Sequence, residues 1–357
     1  HLHMGHALNK ILKDVIIKYQ QISNKNSIYV PGWDCHGLPI EWKIEEQYRK
    51  KKLNKDDVPV LEFRKQCRDF AQEWIEVQRK EFKRLGVIGD WDNPYTTMHY
   101  NSEAQIVREL GKFLENGGLY KGNRPVLWSV VEKTALADAE VEYQEHKSTT
   151  IYAKFPIAKT NLEKLNNHSI VIWTTTPWTI PGNRALAVHN EIKYVSLNIR
   201  RENSNEDIII AEGLVDNFLK ENKILESNVN FSLTGNELLN TSCYHTLFKS
   251  GYDFIVPILH GDFVTTEQGT GIVHICPVHG MDDFILGKQH NLELPMTIDE
   301  GGIYYEHIPV FAGKHIFKVD PEVCDEIEKC NNLISKGQLI HSYPHSWRSK
   351  APLIYRN

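Results

Sequence analysis

The sequence predicts an α/β protein in which a mostly-β domain interrupts a domain built of alternating helices and strands. Up to about residue 145, helix patterns alternate with short β-rich runs. From Thr149 onward, short β-branched runs are separated by polar turns, and helical periodicity returns near Lys318. The alternation of helices with strands favours a parallel sheet covered by helices, whereas short strands with frequent turns favour a compact β domain. We predict three segments, of which the middle one is the insertion: residues 1–148, 149–317 and 318–357.

The composition is that of a globular protein large enough for two domains. The 357 residues are 41% hydrophobic and 24% charged, and no apolar run approaches the roughly 20 residues of a membrane helix. The net charge of −5 excludes a globally basic surface, so a nucleic-acid partner must be met by local basic clusters. The six cysteines form no Cys-x-x-Cys pair, which argues against a disulfide framework. We predict a cytoplasmic protein without a membrane partner.

The first helix is predicted from apolar residues that recur at intervals of three and four, which places them on one face. We expect this face to pack against a sheet. The residues are Leu8, Ile11, Leu12, Val15, Ile16 and Tyr19. A β-rich run follows at residues 27–30, Pro31 breaks it, and Pro39 suits the first turn of a helix that reaches about Lys51.

Two further helices are predicted in the first segment. One runs from about Val60 to Leu85, with Gly86 placed to end it. The other runs from Ser102, a suitable cap, to the glycine pair at residues 117–118.

The later elements are mostly strands. In the last segment, Val323, Ile327 and Ile334 indicate a helix, and residues 352–355 a closing strand. The β runs of the middle segment lie at residues 150–153, 170–173, 194–197, 208–210 and 272–275.

A His-Met-Gly-His sequence at residues 3–6 opens the first helix. The N–H groups and the dipole at a helix start favour anions, Gly5 allows close approach, and His3 and His6 can each donate a hydrogen bond. This chemistry suits the polyphosphate of ATP. The motif is short, however, and a histidine at a helix start is commonly a capping or surface residue, so both interpretations stay open on this motif alone.

A second motif, Trp-Asp-Cys-His-Gly at residues 33–37, follows the β-rich run. A carboxylate in a glycine-containing loop at the carboxyl edge of a parallel sheet lies where such folds bind small ligands. Asp34 can pair there with an ammonium group. The alternative is an aspartate that only caps the following helix.

Two motifs in the middle segment carry hydroxyl, imidazole and carboxylate groups. Thr174, Thr175 and Thr176 end a β run, and three adjacent hydroxyls can order a water and the ribose of an RNA end. A threonine triplet can equally be ordinary strand sequence. Farther on, the segment that contains His274 leads to Asp283 at another strand-to-helix junction.

Four side chains of types that bind metals lie within ten residues of one another: His274, Cys276, His279 and Asp283. Pro277 interrupts the strand, and no second cluster completes a zinc tetrahedron at the usual pair spacing. We therefore predict no metal site and no zinc.

Together these motifs resemble class I aminoacyl-tRNA synthetases, and specifically the isoleucyl family. The resemblance covers essentially the whole chain and rests on residues 3–6, the loop 31–41, the segment 89–95 and the threonine motif. It implies a Rossmann-like catalytic domain, incomplete here, with an inserted, barrel-like editing domain. It also implies a monomer that uses isoleucine, the isoleucine tRNA and ATP, with Mg²⁺ accompanying the ATP.

The resemblance also implies roles for individual residues. His3, Gly5 and His6 would contact ATP, and Asp34 would hold the amino group of isoleucine. Editing removes valine wrongly esterified to the tRNA, a need for which isoleucyl enzymes are the standard example, because one missing methylene permits too little discrimination. Asp283 would anchor the amino group of valine, and His274 would shape a pocket that refuses isoleucine. The ester, terminal adenosine or attacking water would be contacted by Thr174, Thr175, Thr176 and Asn183.

Some expected parts of the family pattern are absent from this sequence. It contains no Lys-Met-Ser-Lys-Ser loop, and both ends look like cuts, so we expect no isoleucine activation from these residues alone. Residues 128–143 and 341–348 resemble the connectors of the insertion, with Ser346 where the family more often has cysteine. The alternatives are a freestanding trans-editing hydrolase, a valyl or leucyl enzyme, and a noncatalytic RNA-binding module.

Overall fold

The computed structural model describes residues 1–201 and 204–357. They divide into two compact units, residues 1–122 and residues 123–357. The finer boundaries predicted at residues 148/149 and 317/318 stay predictions. Within the described residues, no helix has both the length and the apolar composition needed to cross a membrane.

The first unit contains the predicted helices. Its elements are α1 (Met4–Ile22), β1 (Gly32–Trp33), α2 (Leu38–Lys50), α3 (Val60–Arg84), β2 (Tyr95–Thr96) and α4 (Tyr100–Glu115). β1 and β2 pair in parallel, with Gly32 opposite Tyr95.

Two local predictions for this unit are wrong. The run at residues 27–30 is not a strand, because pairing with β2 begins only at Gly32. Helix α4 is capped by His99, whose ring accepts a hydrogen bond from the Asn101 backbone N–H at 3.3 Å, and not by Ser102. The strand error arises because pairing depends on three-dimensional neighbours, and the cap error arises because more than one polar side chain near a helix start can accept its free N–H groups.

The apolar face of α1 is exposed in the described residues. Leu12 and Ile16 keep 55% and 59% of their surface accessible, and the buried residue of this helix is Asp14. Its carboxylate accepts hydrogen bonds from Lys18 at 2.5 Å and from the Ile88 backbone N–H at 2.8 Å. The predicted packing of the apolar face against a sheet is therefore not observed.

The second unit is dominated by strands. It also contains α5 (Val215–Glu221), α6 (Gly235–Leu238), α7 (Met281–Gln289) and α8 (Ile316–Lys329). The strands of the unit are β3 (Val126–Ser129), β4 (Thr134–Ala135), β5 (Val141–Lys159), β6 (Ser169–Thr174), β7 (Ala185–Val188), β8 (Lys193–Arg201), β9 (Ser204–Ala211), β10 (Ser227–Thr234), β11 (Ser242–Tyr244), β12 (Ile255–His260), β13 (Val273–Ile275), β14 (Leu333–Ser346) and β15 (Ile354–Arg356).

Most of these strands join one large mixed sheet. Its order is β10-β8-β9-β6-β5-β11-β12-β7-β13, and β14 pairs additionally with β5. The β6–β9 and β12–β7 pairs are parallel, and the other pairs are antiparallel. No pairing among the described strands joins β13 back to β10, so closure into a barrel is not seen.

Both faces of the central strands are buried. On β6, Ile170 and Ile172 belong to one apolar cluster, whereas Val171 between them belongs to another on the opposite face. Adjacent strand residues point to opposite faces, so a strand covered on both sides needs an uninterrupted apolar run. This explains why the sequence of β6 reads as continuous β-branched residues.

Helix α8 is shorter than the sequence indicates. Val323 and Ile327 are buried within it, but the helix ends at Lys329 and Asn331 has a φ of 60°. This left-handed residue turns the chain into β14, so Ile334 lies in a strand and not in the helix.

Candidate functional site

The His-Met-Gly-His motif forms the start of α1. His3 is the N-cap, and its Nδ1 accepts hydrogen bonds from the backbone N–H groups of Gly5 at 3.1 Å and His6 at 3.4 Å. In return, His6 Nδ1 accepts from the His3 backbone N–H at 3.4 Å, and the two rings stack with centroids 3.8 Å apart. Two of the N–H groups expected to face a phosphate are thus already occupied by a capping side chain.

The capping bonds also assign the protonation of both rings. Because Nδ1 of each ring accepts a hydrogen bond, the neutral rings carry their proton on Nε2. Burial, followed by the nearby charges of His3 and Lys10, lowers the pKa of His6. Gly5 is needed for this arrangement, because a Cβ there would lie 2.9 Å from His3 Cε1.

Asp34 lies directly after β1, at the edge of a cavity. Its Oδ1 accepts a hydrogen bond from Thr97 Oγ1 at 3.2 Å and lies 3.5 Å from His36 Nε2, while the side chain stays exposed. Neither bond caps α2, whose N-cap is Gly37. The cavity measures about 570 Å³, and its lining is His1, Trp33, Asp34, Cys35, Pro39, Ile40, Lys43, Phe70, Ala71, Trp74, Ile75 and Gln78.

The threonine motif forms a hydroxyl-rich turn at the end of β6. A 3-10 turn at Pro177–Gly182 follows the strand. Thr174 Oγ1 lies 3.2 Å from Thr176 Oγ1 and accepts the Thr176 backbone N–H at 3.1 Å. Thr176 Oγ1 in turn lies 3.3 Å from Thr179 Oγ1. Thr175 makes no side-chain hydrogen bond within the described part of the chain.

His274, on β13, is bonded to this turn through both ring nitrogens. Its Nε2 lies 2.8 Å from Thr179 Oγ1, and its Nδ1 lies 3.2 Å from Asn183 Nδ2. Since the amide of Asn183 donates, Nδ1 is the acceptor and Nε2 carries the proton. Burial, with a smaller contribution from His279, lowers the pKa of His274 to about 4, so the ring is neutral at pH 7.

Thr179 is a site residue that the sequence did not single out. Its hydroxyl accepts from His274 and donates to the Thr176 carbonyl oxygen at 2.8 Å. It thereby joins the threonine motif to β13. The three-residue spacing from Thr176 is the signal that was available, because a 3-10 turn brings residues i and i+3 together.

Asn183 is fully buried beside His274. Its amide also donates to the Ala185 carbonyl oxygen at 2.9 Å, whereas its Oδ1 accepts no hydrogen bond from the described residues. Most buried polar atoms in proteins have a partner, so this buried oxygen is an exception among the described residues.

Asp283 lies in the first turn of α7 and is tied to the end of β13. Its Oδ1 accepts the Cys276 backbone N–H at 2.7 Å, and Cys276 is two residues beyond His274. Burial raises the pKa of Asp283 to about 6, against the opposing effect of the Cys276 hydrogen bond. Gly280 permits this position, because a Cβ there would lie 2.2 Å from Asp283 Oδ2.

The predicted residues therefore form two groups in separate units. Thr174, Thr176, Asn183 and His274 are joined by hydrogen bonds, and Asp283 is held at the same strand end as His274. Among the residues that the structure describes, no group of His, Cys, Asp or Glu is arranged to hold a metal ion.

Comparison with known proteins shows what the chain resembles. Residues 1–346 match the family model of class I tRNA synthetases (I, L, M and V). The isoleucine–tRNA ligase of Pelagibacter ubique is 55% identical over 357 residues, which cover 99% of this chain and 39% of that protein. The isoleucine–tRNA ligase of Gluconobacter oxydans is 50% identical, covering 100% of this chain and 39% of that protein. The chain thus spans about two fifths of the length of these relatives.

A solved structure described as the crystal structure of GlLeuRS-CP1 aligns with 54% of this chain and 99% of its own. Its TM-score is 0.41 and its sequence identity 16%.

Proposed function

The chain belongs to the class I tRNA synthetases, and from this we propose the function of an isoleucine–tRNA ligase with a hydrolytic editing site, of which these residues carry the editing site and part of the synthetic site. The ligase activates isoleucine with ATP and transfers it to the isoleucine tRNA. The editing site hydrolyses valine that has been esterified to the same tRNA. The proposal is supported by identity of 55% and 50% to two isoleucine–tRNA ligases over essentially the whole chain.

The first unit is proposed to carry part of the synthetic site. His3 and His6 keep Nε2–H groups that suit phosphate oxygens at a positively polarised helix start, and Gly5 lets them approach. The cavity beside Asp34 has largely apolar walls, as an isoleucine side chain requires, and the carboxylate at its edge suits the ammonium group. Mg²⁺ enters with ATP as the counter-ion of this substrate.

The finer fold assignments belong to the same proposal. The parallel pairing of β1 with β2 supports a Rossmann-like arrangement in the first unit. The long mixed sheet of the second unit supports a barrel-like editing domain. A cytoplasmic location and a monomeric state stay predictions from the sequence.

The editing site is proposed to hydrolyse the ester with water as the nucleophile. The oxygen of water bonds to the carbonyl carbon, the bond from that carbon to the ribose oxygen breaks, and a proton from the water passes to the ribose oxygen. The products are valine and tRNA with a free terminal hydroxyl. Thr174 and Thr176 orient the water, and Asn183 orients the ring of His274 through the bond to its Nδ1.

His274 and Asp283 are proposed to decide which amino acid is hydrolysed. With a pKa of about 4, His274 is too weak a base to take the proton at pH 7, so it acts as a fixed wall that excludes the extra methylene of isoleucine. Asp283 holds the ammonium group of valine. The observation that best supports this proposal is that His274 and Asp283 are both fixed at one end of β13, next to the hydroxyl-rich turn.

The test is deacylation of valyl-tRNA(Ile) by the wild-type chain, by Asp283→Ala and by Asp282→Ala. Asp282 is the exposed neighbour on the same helix turn and serves as the matched control. We expect Asp283→Ala to lower kcat/KM at least about a hundredfold and Asp282→Ala to leave it within twofold, because a desolvated charge pair is worth several kcal/mol. Equal hydrolysis by the wild-type and Asp283→Ala proteins would refute the editing assignment.

A further inference from the structure

His279 is an imidazole near the editing site to which the proposed reaction assigns no role. It follows β13 and precedes α7, so it lies between His274 and Asp283 in the chain. It is partly buried, and three contacts fix its ring.

Two of these contacts are hydrogen bonds, and they select one tautomer. His279 Nδ1 lies 2.8 Å from the carbonyl oxygen of Tyr355 on β15, so Nδ1 carries the proton and donates it. Nε2 is then the acceptor for the Thr297 hydroxyl at 2.6 Å. Burial lowers the pKa of His279 to about 4, which keeps the ring neutral and this pattern intact at pH 7.

The third contact is with the hydroxyl-rich turn. The ring of Trp178, inside the 3-10 turn between Thr176 and Thr179, meets the His279 ring edge-on with centroids 4.7 Å apart. Such aromatic contacts are worth about 0.5–1.5 kcal/mol beyond the area they bury. His279 therefore packs against the 3-10 turn that follows the threonine motif and helps to hold it in place.

The backbone of His279 is linked to the carboxylate side of the site. Its N–H donates to the Cys276 carbonyl oxygen at 2.9 Å, and the N–H of the same Cys276 donates to Asp283 Oδ1 at 2.7 Å. One residue thus touches the turn with its side chain and closes, with its backbone, the loop that holds Asp283.

We infer that His279 is a positioning residue of the editing site, which sets the threonine turn and Asp283 at the separation that the ester of valyl-tRNA requires. This inference rests on the proposed function. A displacement of about 1 Å in such a site can cost about a hundredfold in rate, so loss of the ring acts mainly on kcat.

The experiment compares single-turnover and steady-state deacylation of valyl-tRNA(Ile) by the wild-type chain, His279→Ala, His279→Asn and His168→Ala. His168 is the matched control, because its Nδ1 also meets a backbone carbonyl, that of Asn166 at 3.1 Å, and its Nε2 a hydroxyl, that of Ser196 at 2.8 Å. It precedes Thr174 by six residues, which is roughly 20 Å along a strand.

We expect His279→Ala to lower kcat by about ten- to a hundredfold with KM within twofold. His279→Asn keeps an N–H that can reach the Tyr355 carbonyl oxygen. We therefore expect its kcat to be at least threefold higher than that of His279→Ala. His168→Ala lowers the unfolding midpoint but leaves kcat unchanged.

Three results separate the possible failures. Wild-type kcat in His279→Ala would overturn the inference while leaving the proposed function standing. An equal loss of kcat in His168→Ala would overturn it too, because the effect would then be general destabilisation. A wild-type chain that does not hydrolyse valyl-tRNA(Ile) would overturn the proposed function and this inference with it.

Discussion

The imidazole of His274 is held as a single neutral tautomer by an amide on one side and a hydroxyl on the other. Asp283, by contrast, keeps a carboxylate in surroundings that disfavour its charge. At the scale of single residues, the site therefore combines a ring that does not titrate near pH 7 with an acid that titrates close to it.

Asp283→Asn is predicted to stabilise the protein at pH 7.5. The pKa of Asp283 is raised from 3.8 to about 6 by burial, so between pH 4 and pH 6 the folded chain holds a proton that the unfolded chain releases. The free energy of unfolding attributable to this group falls as the pH rises through that window, and the penalty is complete above pH 6. Asparagine can still accept the Cys276 N–H but carries no charge.

The expected gain is on the order of 2 kcal/mol at pH 7.5 and close to zero at pH 4. It is measured as the difference between variant and wild-type unfolding free energies in denaturant, with Asp282→Asn as the control that shows no such pH dependence. A variant less stable than the wild type at pH 7.5 would contradict the prediction.

At the scale of elements, the site depends on how closely the 3-10 turn approaches β13. Gly182 ends the turn, and a Cβ there would lie 2.5 Å from Cys276 Sγ and 3.2 Å from Thr297 Cγ2. The close approach lets the hydroxyl of Thr179 reach His274, on a strand 95 residues later in the chain.

Gly182→Ala is predicted to push the turn away from β13. Overpacking of this kind costs about 1–3 kcal/mol, and we expect a loss of deacylation activity as the Thr179–His274 bond lengthens. Thermal unfolding and valyl-tRNA(Ile) hydrolysis measure the two effects. Gly213→Ala is the control, since a Cβ at Gly213 meets nothing within 4 Å. Equal thermal stability and equal deacylation activity in Gly182→Ala and Gly213→Ala would contradict this prediction.

At the scale of the whole molecule, the two units differ in how completely they bury their own apolar side chains. The second unit contains large buried clusters on both faces of its sheet. In the first unit, α1 and α4 leave apolar side chains exposed, among them Leu12, Ile16 and Phe113. Contiguous exposed apolar surface binds hydrophobic dyes and favours association.

Leu12→Glu combined with Ile16→Glu is predicted to reduce binding of the dye ANS by at least about half, because the two changes place charges in the middle of the exposed stripe. Helix α1 should persist, since glutamate and leucine have similar helix propensities. Leu225→Glu is the control, because Leu225 is 95% exposed and lies outside α1. Unchanged dye fluorescence in the double variant would contradict the prediction, because it would show that the apolar face of α1 does not bind the dye.

Three features could be predicted from the sequence without the fold: the helices of the first unit, the β-rich character of the second unit and the family of the chain. Those features depend on local periodicity and on motifs of adjacent residues, which can be read without knowing the fold. The sequence also pointed to His274 and Asp283, because the resemblance attached roles to both positions.

Three features could be seen only in the folded chain: the contact of Thr179 with His274, the tautomers of His274 and His279, and the exposure of the α1 stripe. The hydrogen bonds among these features join atoms from distant parts of the chain: 95 residues separate Thr179 from His274, and 76 separate His279 from Tyr355. Hydrogen bonds act over about 3 Å, whereas one step along a strand is about 3.3 Å, so a shift of a single residue in the pairing of β13 with β7 would remove the bonds of His274 to Thr179 and Asn183.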